Sequence, residues 1–341
     1  MSAPAGQIGL QPRPAQAVPL LELRDLRAHL HLRRGVVRAV DGVNLSLAPG
    51  EALGLVGESG SGKTMTGLAL LRLLPKGSGG VISGSIRLDG QELTTLSETE
   101  MAREVRGRRI AMIAQDPMTS LNPVFSIGDQ VGAPFRYHGL ARSGAELRSQ
   151  VTGVLRRVRL PSPEQRQRDY PHQFSGGQRQ RIVTAMAVAC APRLLLADEP
   201  TTALDVTIQA QIIALLREIQ HESGAGIILI THDLGVAASL CGRIAVMYAG
   251  RIVEQGPVRE VYRRPAHPYT RALLAAVPRL GGPRGGRLAA IPGQPPSLID
   301  PPQGCRFAAR CPHRMPACAE YPPAFELGGG HAAACWLAAK G

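Results

Sequence analysis

The sequence predicts an α/β fold with a mostly parallel sheet, because three largely apolar segments each lead into polar or flexible residues. Residues 51–56 run into a glycine-rich loop, residues 194–197 into two acidic residues, and residues 227–230 towards a histidine. Uninterrupted apolar runs of this length are typical of strands that are buried on both faces of a parallel sheet. We therefore expect the two acidic residues to lie at the carboxyl edge of that sheet.

The length and composition suffice for one large domain or for a domain with an appendage. The chain has 341 residues, of which 44% are hydrophobic, and no apolar run approaches the length of about 20 residues that crosses a bilayer. Residues 1–19 are rich in Ala, Pro and Gln, and we interpret them as a disordered leader rather than a secretion signal. The net charge is +13, but no arginine run is interleaved with aromatic residues, so we expect no nucleic-acid partner.

The glycine-rich loop predicts a phosphate-binding site. Glycines let backbone N–H groups turn inward, and the helix predicted at 63–74 adds the positive end of its dipole. In this motif the lysine reaches the β- and γ-phosphates and the following hydroxyl holds Mg²⁺. The sequence therefore predicts one ATP site, in which the loop residues are Gly57, Glu58, Ser59, Gly60, Ser61, Gly62, Lys63 and Thr64.

The acidic pair predicts the hydrolytic part of the same site. Asp198 and Glu199 close the apolar strand at 194–199. In phosphate-loop enzymes the first acid holds Mg²⁺, directly or through water, and the second polarises the attacking water.

A second glycine-rich sequence precedes a helix predicted at 179–191, and it forms another nest of phosphate size. Its residues are Ser175, Gly176, Gly177 and Gln178. One domain does not need two such nests for one ATP. We therefore expect a head-to-tail pair of domains, in which each closes this sequence over the other's nucleotide.

In order and spacing these motifs resemble those of the ABC-type ATPases from about residue 20 onwards, with an ATPase domain at 20–277. The resemblance implies that Gln115 contacts Mg²⁺ and the attacking water, that Asp205 lies in the loop crossing the dimer interface, and that His232 contacts the γ-phosphate. It implies a phosphate-loop ATPase core, an antiparallel β subdomain and a small helical subdomain at about 120–174. An amphipathic helix at 204–219 is expected to pack on the sheet.

Longer stretches at 115–123, 170–174, 264–274 and 306–312 resemble the ATP-binding subunits of dipeptide, oligopeptide and nickel importers. That resemblance implies two membrane-spanning permease subunits, a homologous second ATPase subunit in a heterodimer, and indirectly an extracytoplasmic solute-binding protein. It implies peripheral attachment at the cytoplasmic face of the membrane and peptides as cargo. Nickel or another small solute, and an ABC ATPase outside transport, are the alternatives.

The C-terminal part combines an extended connector at 278–304, rich in Pro and Gly, with a four-cysteine motif at 305–341. Its cysteines are Cys305, Cys311, Cys318 and Cys335. They lack the Cys-x2-Cys pairs usual in zinc sites, so spacing alone leaves both a metal site and unligated cysteines open. The importer resemblance implies a [4Fe–4S] cluster, with zinc as the alternative. We expect the nearby His313 and His331 to lie at the surface.

One departure from the ABC pattern concerns the nucleobase. Many ABC ATPases stack an aromatic side chain on adenine from a loop ahead of the phosphate loop, but residues 33–38 contain none. We expect Val37 or Arg38 to pack near the ring and discrimination between ATP and GTP to be modest.

Overall fold

The computed structural model describes residues 18–202, 204–277 and 291–340 of the chain. Nearly all of the predicted leader at 1–19 lies outside these residues, as does the first half of the predicted connector at 278–304. No helix in the described ranges is both long enough and apolar enough to cross a membrane.

The described residues contain twelve strands. They are β1 Leu21–Leu32, β2 Gly35–Leu47, β3 Ala52–Val56, β4 Val81–Leu88, β5 Gln91–Glu92, β6 Ile110–Ile113, β7 Leu194–Asp198, β8 Gly226–Thr231, β9 Arg243–Tyr248, β10 Arg251–Pro257, β11 Phe325–Gly328 and β12 His331–Ala333.

The same residues contain eleven α-helices. They are α1 Lys63–Leu70, α2 Glu98–Glu100, α3 Pro117–Ser120, α4 Ile127–Tyr137, α5 Gly144–Arg157, α6 Pro163–Arg166, α7 Gly176–Val188, α8 Val206–Ser223, α9 Leu234–Leu240, α10 Val258–Arg263 and α11 Pro268–Ala276. Short helical turns of other types occupy Met101–Val105, Pro171–Gln173, Pro316–Ala319 and Ala338–Lys340.

The helix boundaries differ from the sequence prediction by a few residues: α7 ends at Val188 instead of residue 191, and α8 spans Val206–Ser223 instead of 204–219. Two further shifts have a visible local cause. Helix α1 ends at Leu70 instead of residue 74, because Arg72 adopts a left-handed backbone conformation with φ of 53°. Helix α7 begins at Gly176 instead of residue 179, because Ser175 caps it by accepting a hydrogen bond from the N–H of Gln178. Both shifts come from local backbone geometry that hydrophobic periodicity does not encode.

The central sheet has eight strands in the order β11-β12-β10-β9-β3-β8-β7-β6. The pairs β9–β3, β3–β8, β8–β7 and β7–β6 are parallel, and the strands beyond β9 are antiparallel. The prediction of an α/β fold with a mostly parallel sheet is therefore confirmed.

Both faces of this sheet are covered, which explains why its middle strands read as continuous apolar runs. Residues that alternate along β7 enter two different hydrophobic clusters: Leu195 and Ala197 pack towards α7 and α8, whereas Leu194 and Leu196 pack towards α1 and the second sheet. That second sheet is antiparallel, in the order β2-β1-β4-β5. Helix α8 buries Ile212 and Leu216 against the first face, as its amphipathic pattern predicts.

Only helices connect β6 to α7, which matches the predicted helical subdomain. Helices α4 and α5 bury Ile127, Val131, Val151 and Leu155 against the start of α7. This arrangement places the Ser175 motif on a body built mainly from α3 to α7.

The C-terminal extension is continuous with the core. Strand β12 pairs with β10, so the extension adds two strands to the central sheet. Phe307 is 2% exposed and packs against Tyr248 and Tyr269, with ring centroids 5.3 and 5.4 Å away. The described end of the predicted connector also packs here, through Ile291 and Leu298.

We expect Phe307→Ala to lower the free energy of unfolding of the whole chain by about 3–5 kcal/mol, because it leaves a cavity in a cluster shared by core and extension. Denaturant unfolding monitored by circular dichroism measures this change. Leu327→Ala is the control, since Leu327 lies in the same extension but is 39% exposed. Equal stability of the Phe307→Ala variant and the unchanged chain would contradict the shared core.

Candidate functional site

The loop between β3 and α1 approaches neighbouring strands so closely that two of its positions accept only glycine. At Gly57 a Cβ atom would lie 2.2 Å from the carbonyl oxygen of Met247, and at Gly62 it would lie 2.2 Å from that of Ala39. Both glycines also have positive φ, 155° and 108°. The contacts bend the loop so that the N-terminus of α1 faces the carboxyl edge of the sheet.

Two C-terminal residues hold the outer side of this loop at Glu58. The hydroxyl of Tyr269 accepts a hydrogen bond of 2.8 Å from the Glu58 N–H. The guanidinium of Arg310 donates to both carboxylate oxygens of Glu58, at 2.7 and 3.1 Å. Such bidentate pairs fix geometry as well as charge. Sequence reasoning missed both partners, because nothing local relates residues 269 and 310 to residue 58.

Lys63 is folded back under the loop. Its Nζ donates to the carbonyl oxygens of Gly57 and Glu58, at 2.8 and 2.9 Å, and the residue is 5% exposed. Burial lowers the pKa of Lys63, while the nearby carboxylates of Glu199 and Asp198 act in the opposite direction. A partly desolvated cation is thus held where phosphate oxygens would meet the loop.

Thr64 and Asp198, which the sequence assigns to Mg²⁺, are brought together. The Thr64 Oγ1 donates a hydrogen bond of 3.1 Å to Asp198 Oδ1 at the end of β7. Burial raises the pKa of Asp198, assisted by the charge of Glu199 and opposed by the Thr64 hydrogen bond and the charge of Lys63. A hydroxyl and a carboxylate are the oxygen ligands that Mg²⁺ prefers, and Mg²⁺ typically takes its other ligands from water and substrate phosphates, so this pair fits the ion.

Glu199 has a strained backbone and a fully engaged carboxylate. Its φ is 44°, and its N–H donates to the carbonyl oxygen of Ile230 on the adjacent strand β8 at 2.8 Å. One carboxylate oxygen accepts from Gln115 Nε2 at 3.0 Å and from Thr202 Oγ1 at 2.9 Å, and the other lies 3.1 Å from His232 Nδ1. Backbone strain of this kind is concentrated at functional sites.

The electrostatics favour an ionised Glu199. Burial alone would raise its pKa, but hydrogen bonds with His232 and Thr202 and the charge of Lys63 hold the pKa below its ordinary value. The structure therefore joins all three residues predicted to be catalytic, Gln115, Glu199 and His232, in one hydrogen-bonded group, and adds Thr202, which the sequence analysis did not single out.

A cavity of about 280 Å³ lies over this group. Its lining includes the loop and catalytic residues Ser59, Gly60, Gly62, Lys63, Thr64, Gln115 and Glu199. The remaining lining residues are apolar: Leu30, Val37, Ala39, Met65 and Leu298. Of the two residues predicted to pack near the nucleobase, Val37 lines this cavity and Arg38 does not. Leu298 comes from the C-terminal part and was not predicted. Ser61 does not line the cavity but is buried beneath the loop.

The Ser175 motif lies at a separate place. Ser175 and Gln178 form reciprocal capping hydrogen bonds at the start of α7, and Asp205 caps α8 by accepting from the N–H of Ile208. Gly177 packs against Ile208, where an added Cβ would lie 2.7 Å from the isoleucine side chain. None of the described residues 175–178 or Asp205 lines the cavity, so one chain alone does not bring them to the phosphate loop. Ala203, beside Asp205, lies outside the described residues.

The four C-terminal cysteines are free thiols, each half-buried, and the N–H of Cys305 donates to the carbonyl oxygen of Cys318 at 3.0 Å. Burial, with repulsion from the neighbouring thiols of Cys318, Cys335 and Cys311, raises the pKa of Cys305 to about 11. Nowhere in residues 18–202, 204–277 and 291–340 are three or more His, Cys, Asp or Glu side chains gathered as they would be around a metal ion. The predicted iron–sulfur or zinc site is therefore not confirmed.

The expectation that His331 lies at the surface is wrong. It is 5% exposed, and its Nε2 lies 2.7 Å from Oε1 of the buried Glu254. Glu254 also accepts from the backbone N–H groups of Ala266 and His267, so this carboxylate ties the extension to the segment before α11. His313 is exposed, as expected.

Comparison with known families agrees with this geometry. The ABC transporter family model matches residues 40–202, and the model for the C-terminal region of oligopeptide/dipeptide transporters matches residues 253–318. The first range covers the phosphate loop, the Ser175 motif and the acidic pair, and the second covers three of the four C-terminal cysteines.

Individual proteins resemble the chain over nearly its whole length. The dipeptide transport ATP-binding protein DppD of Bacillus subtilis is 48% identical, covering 93% of this chain and 94% of its own. The oligopeptide transport ATP-binding protein OppD of Escherichia coli is 48% identical, covering 94% of each chain. Among solved structures, the dimeric ATP-binding cassette MJ0796 bound to ADP and Pi has a TM-score of 0.62 at 27% identity, over 70% of this chain and 99% of that one.

The fold and the phosphate loop thus define an ATPase of the phosphate-loop class. More particularly, the chain belongs to the ABC transporter family of ATP-binding proteins and carries that family's oligopeptide/dipeptide C-terminal region.

We expect Gly57→Ala to abolish ATP binding and to lower the melting temperature, because the added methyl group cannot coexist with the carbonyl oxygen of Met247. Isothermal titration calorimetry and thermal unfolding measure the two effects. The matched control is Gly153→Ala in α5, where an added Cβ meets no atom within 4 Å and helix propensity favours alanine by about 1 kcal/mol. Normal ATP binding by the Gly57→Ala variant would refute the close contact.

Proposed function

We propose that this chain hydrolyses ATP to drive the import of di- or oligopeptides through a membrane permease. The observation that carries the proposal is the position of Glu199, an ionised carboxylate beside the Thr64–Asp198 pair and Lys63 at one edge of the sheet. In this arrangement Glu199 polarises the attacking water. Gln115 and His232, which contact its two oxygens, orient that water and the γ-phosphate.

The other loop residues bind the triphosphate. Lys63 neutralises charge on the β- and γ-phosphates, and the N–H groups of residues 59–64 face the phosphate oxygens. Thr64 and Asp198 would hold Mg²⁺, and Gln115 would be a further ligand once the nucleotide is bound. The ion would supply charge neutralisation to the phosphates.

The second half of the site comes from another subunit. Ser175, Gly176, Gly177 and Gln178 present a capped helix N-terminus that lies away from this chain's own cavity, which is the arrangement expected of a nest that serves a facing nucleotide. Asp205 lies next to it through the Gly177–Ile208 contact and belongs to the same interface. The similar cassette MJ0796 is a dimer. We propose a heterodimer with a homologous ATPase subunit.

The helical subdomain is the docking surface for a cytoplasmic helix of the permease, which consists of two membrane-spanning subunits. It displays large apolar side chains on the outside of a compact helical body, which are typical of protein interaction sites. Each is more than a third exposed: Met118, Val124, Phe125, Tyr137, Leu140 and Tyr170. This docking puts the chain at the cytoplasmic face of the membrane. An extracytoplasmic solute-binding protein delivers the peptide, in keeping with the dipeptide and oligopeptide transport named for the relatives.

We expect Glu199→Gln to lower phosphate release by about 10²–10⁴-fold while ATP still binds, because the amide cannot accept the proton of the attacking water. The measurement uses the chain reconstituted with its sister ATPase and permease in proteoliposomes, and follows both phosphate release and uptake of labelled di- and oligopeptides. Size-exclusion chromatography should show the variant trapped as a closed ATP-bound dimer.

Undiminished turnover by Glu199→Gln would remove Glu199 from the role of base. Uptake of nickel in place of peptides would favour the alternative cargo, and ATP hydrolysis that no permease stimulates would favour an ABC ATPase outside transport. Glu104→Gln serves as the control variant, since Glu104 is an exposed glutamate of the helical turn Met101–Val105 and does not line the cavity.

We also propose that Cys305, Cys311, Cys318 and Cys335 hold a [4Fe–4S] cluster, with zinc as the alternative. The support is chemical: all four cysteines are free thiols, neighbouring cysteines help to raise the pKa of Cys305 and of Cys335, and thiolates are the ligands of such clusters. The thiols are not gathered to ligand distances in the described residues, so no step of the reaction is assigned to the group.

We expect anaerobically purified protein to contain about four iron atoms and four acid-labile sulfides per chain, with absorbance near 400 nm that dithionite bleaches. Cys305→Ser should lose the iron. Cys190→Ser should retain it, because Cys190 lies at the end of α7, far along the chain from the extension. One zinc atom without iron would support the alternative, and protein free of both metals would contradict the proposal.

A further inference from the structure

The apolar lining of the nucleotide cavity comes from two distant parts of the chain. Leu30, Val37 and Ala39 come from the β1–β2 hairpin, and Leu298 comes from the segment that leads into the C-terminal extension. None of the described residues that line this cavity is aromatic. The phosphate loop lines the same cavity, so these side chains are the apolar surface available to the nucleoside of a triphosphate bound at the loop.

The segment that carries Leu298 is fixed to the hairpin by backbone contacts. The N–H of Arg38 donates a hydrogen bond of 2.9 Å to the carbonyl oxygen of Leu298, and Val37 forms an isolated antiparallel bridge with Ile299. The packing is close, since a Cβ at Gly35 would lie 2.8 Å from the side chain of Ile299. Leu298 is half-buried against the aromatic cluster of the extension, and its position is therefore set from both sides.

The same segment is tied to the phosphate loop by Arg310. Its Nε donates to the carbonyl oxygen of Pro292 at 2.9 Å, and its terminal nitrogens bind the carboxylate of Glu58. One arginine thus links the loop that holds phosphates to the start of the segment that carries Leu298.

We propose that Leu298 and Val37 together form the base-binding surface of the nucleotide site, so that the C-terminal extension supplies one wall for the nucleobase. An aliphatic wall binds a planar ring by dispersion and by removal of water. It offers no side-chain hydrogen bond to the ring edge, so purine nucleotides bind with similar affinity. This inference rests on the proposed nucleotide site and adds a residue that the ATPase motifs do not include.

The test compares ligands with and without a base. Isothermal titration calorimetry on the full chain measures the Kd of Mg-ATP, Mg-GTP and Mg-tripolyphosphate for each variant. Leu298→Ala should weaken both nucleotides about tenfold, the scale expected for loss of one partly buried aliphatic contact, and should leave tripolyphosphate binding unchanged. Leu298→Phe, which enlarges the wall, should tighten both nucleotides several-fold with the same tripolyphosphate affinity.

Leu327→Ala, an exposed position of the same extension, is the matched control and should bind all three ligands as the unchanged chain does. Unaltered nucleotide affinity in both Leu298 variants would overturn the inference, as would equal weakening of tripolyphosphate, which would mean that the phosphate loop itself is disturbed. If the unchanged chain bound both nucleotides no more tightly than tripolyphosphate, the proposed base-binding surface would be wrong, and the phosphate site would stand. If it bound neither, the proposed function would fail as well.

Discussion

The close approach of the phosphate loop to two neighbouring carbonyl groups is the constraint on which the site depends. Gly57 lies against Met247 of β9 and Gly62 lies against Ala39 of β2, so the loop takes its shape from both sheets at once. That shape sets the start of α1, and the start of α1 sets the positions of Lys63 and Thr64. The ATP site is consequently a property of the contact between the two sheets, and not of an eight-residue motif in isolation.

The second determinant of the site is a group of opposite charges that share a partly buried space. Lys63, Asp198 and Glu199 are mutually close, and each shifts the pKa of another. Removal of one of them would leave the others with an uncompensated desolvation cost, since charges out of water are tolerated only when they are paired. Hydrogen bonds with His232 and Thr202, together with the charge of Lys63, hold the pKa of Glu199 below its ordinary value although the residue is half-buried, so Glu199 remains a proton acceptor.

The features that could be predicted from the sequence are those that residues close together in the chain determine. The order of apolar runs and glycines indicated the parallel sheet, the phosphate loop and the acidic strand end, and the amphipathic pattern located α8. The partners of Glu58 could not be predicted in this way, because Tyr269 and Arg310 reach it only through the tertiary fold. The same holds for Leu298, and for His331, whose buried partner Glu254 is remote in sequence. The helix ends were missed for a different reason, since a left-handed residue at Arg72 leaves no trace in periodicity.

The C-terminal extension packs into the core of the domain, and two of its cysteines lie next to arginines that bind core carboxylates. Arg310 directly precedes Cys311 in the chain and binds Glu58 of the phosphate loop. Arg306 directly follows Cys305 and binds Asp41, a buried carboxylate of β2 whose pKa is lowered to about 2 by its ionic hydrogen bonds, which outweigh burial. Two thiols are therefore one residue away from arginines that hold the loop and the hairpin in place. Both arginines therefore join the cysteine-bearing part of the extension to elements of the core, one to the phosphate loop and the other to β2.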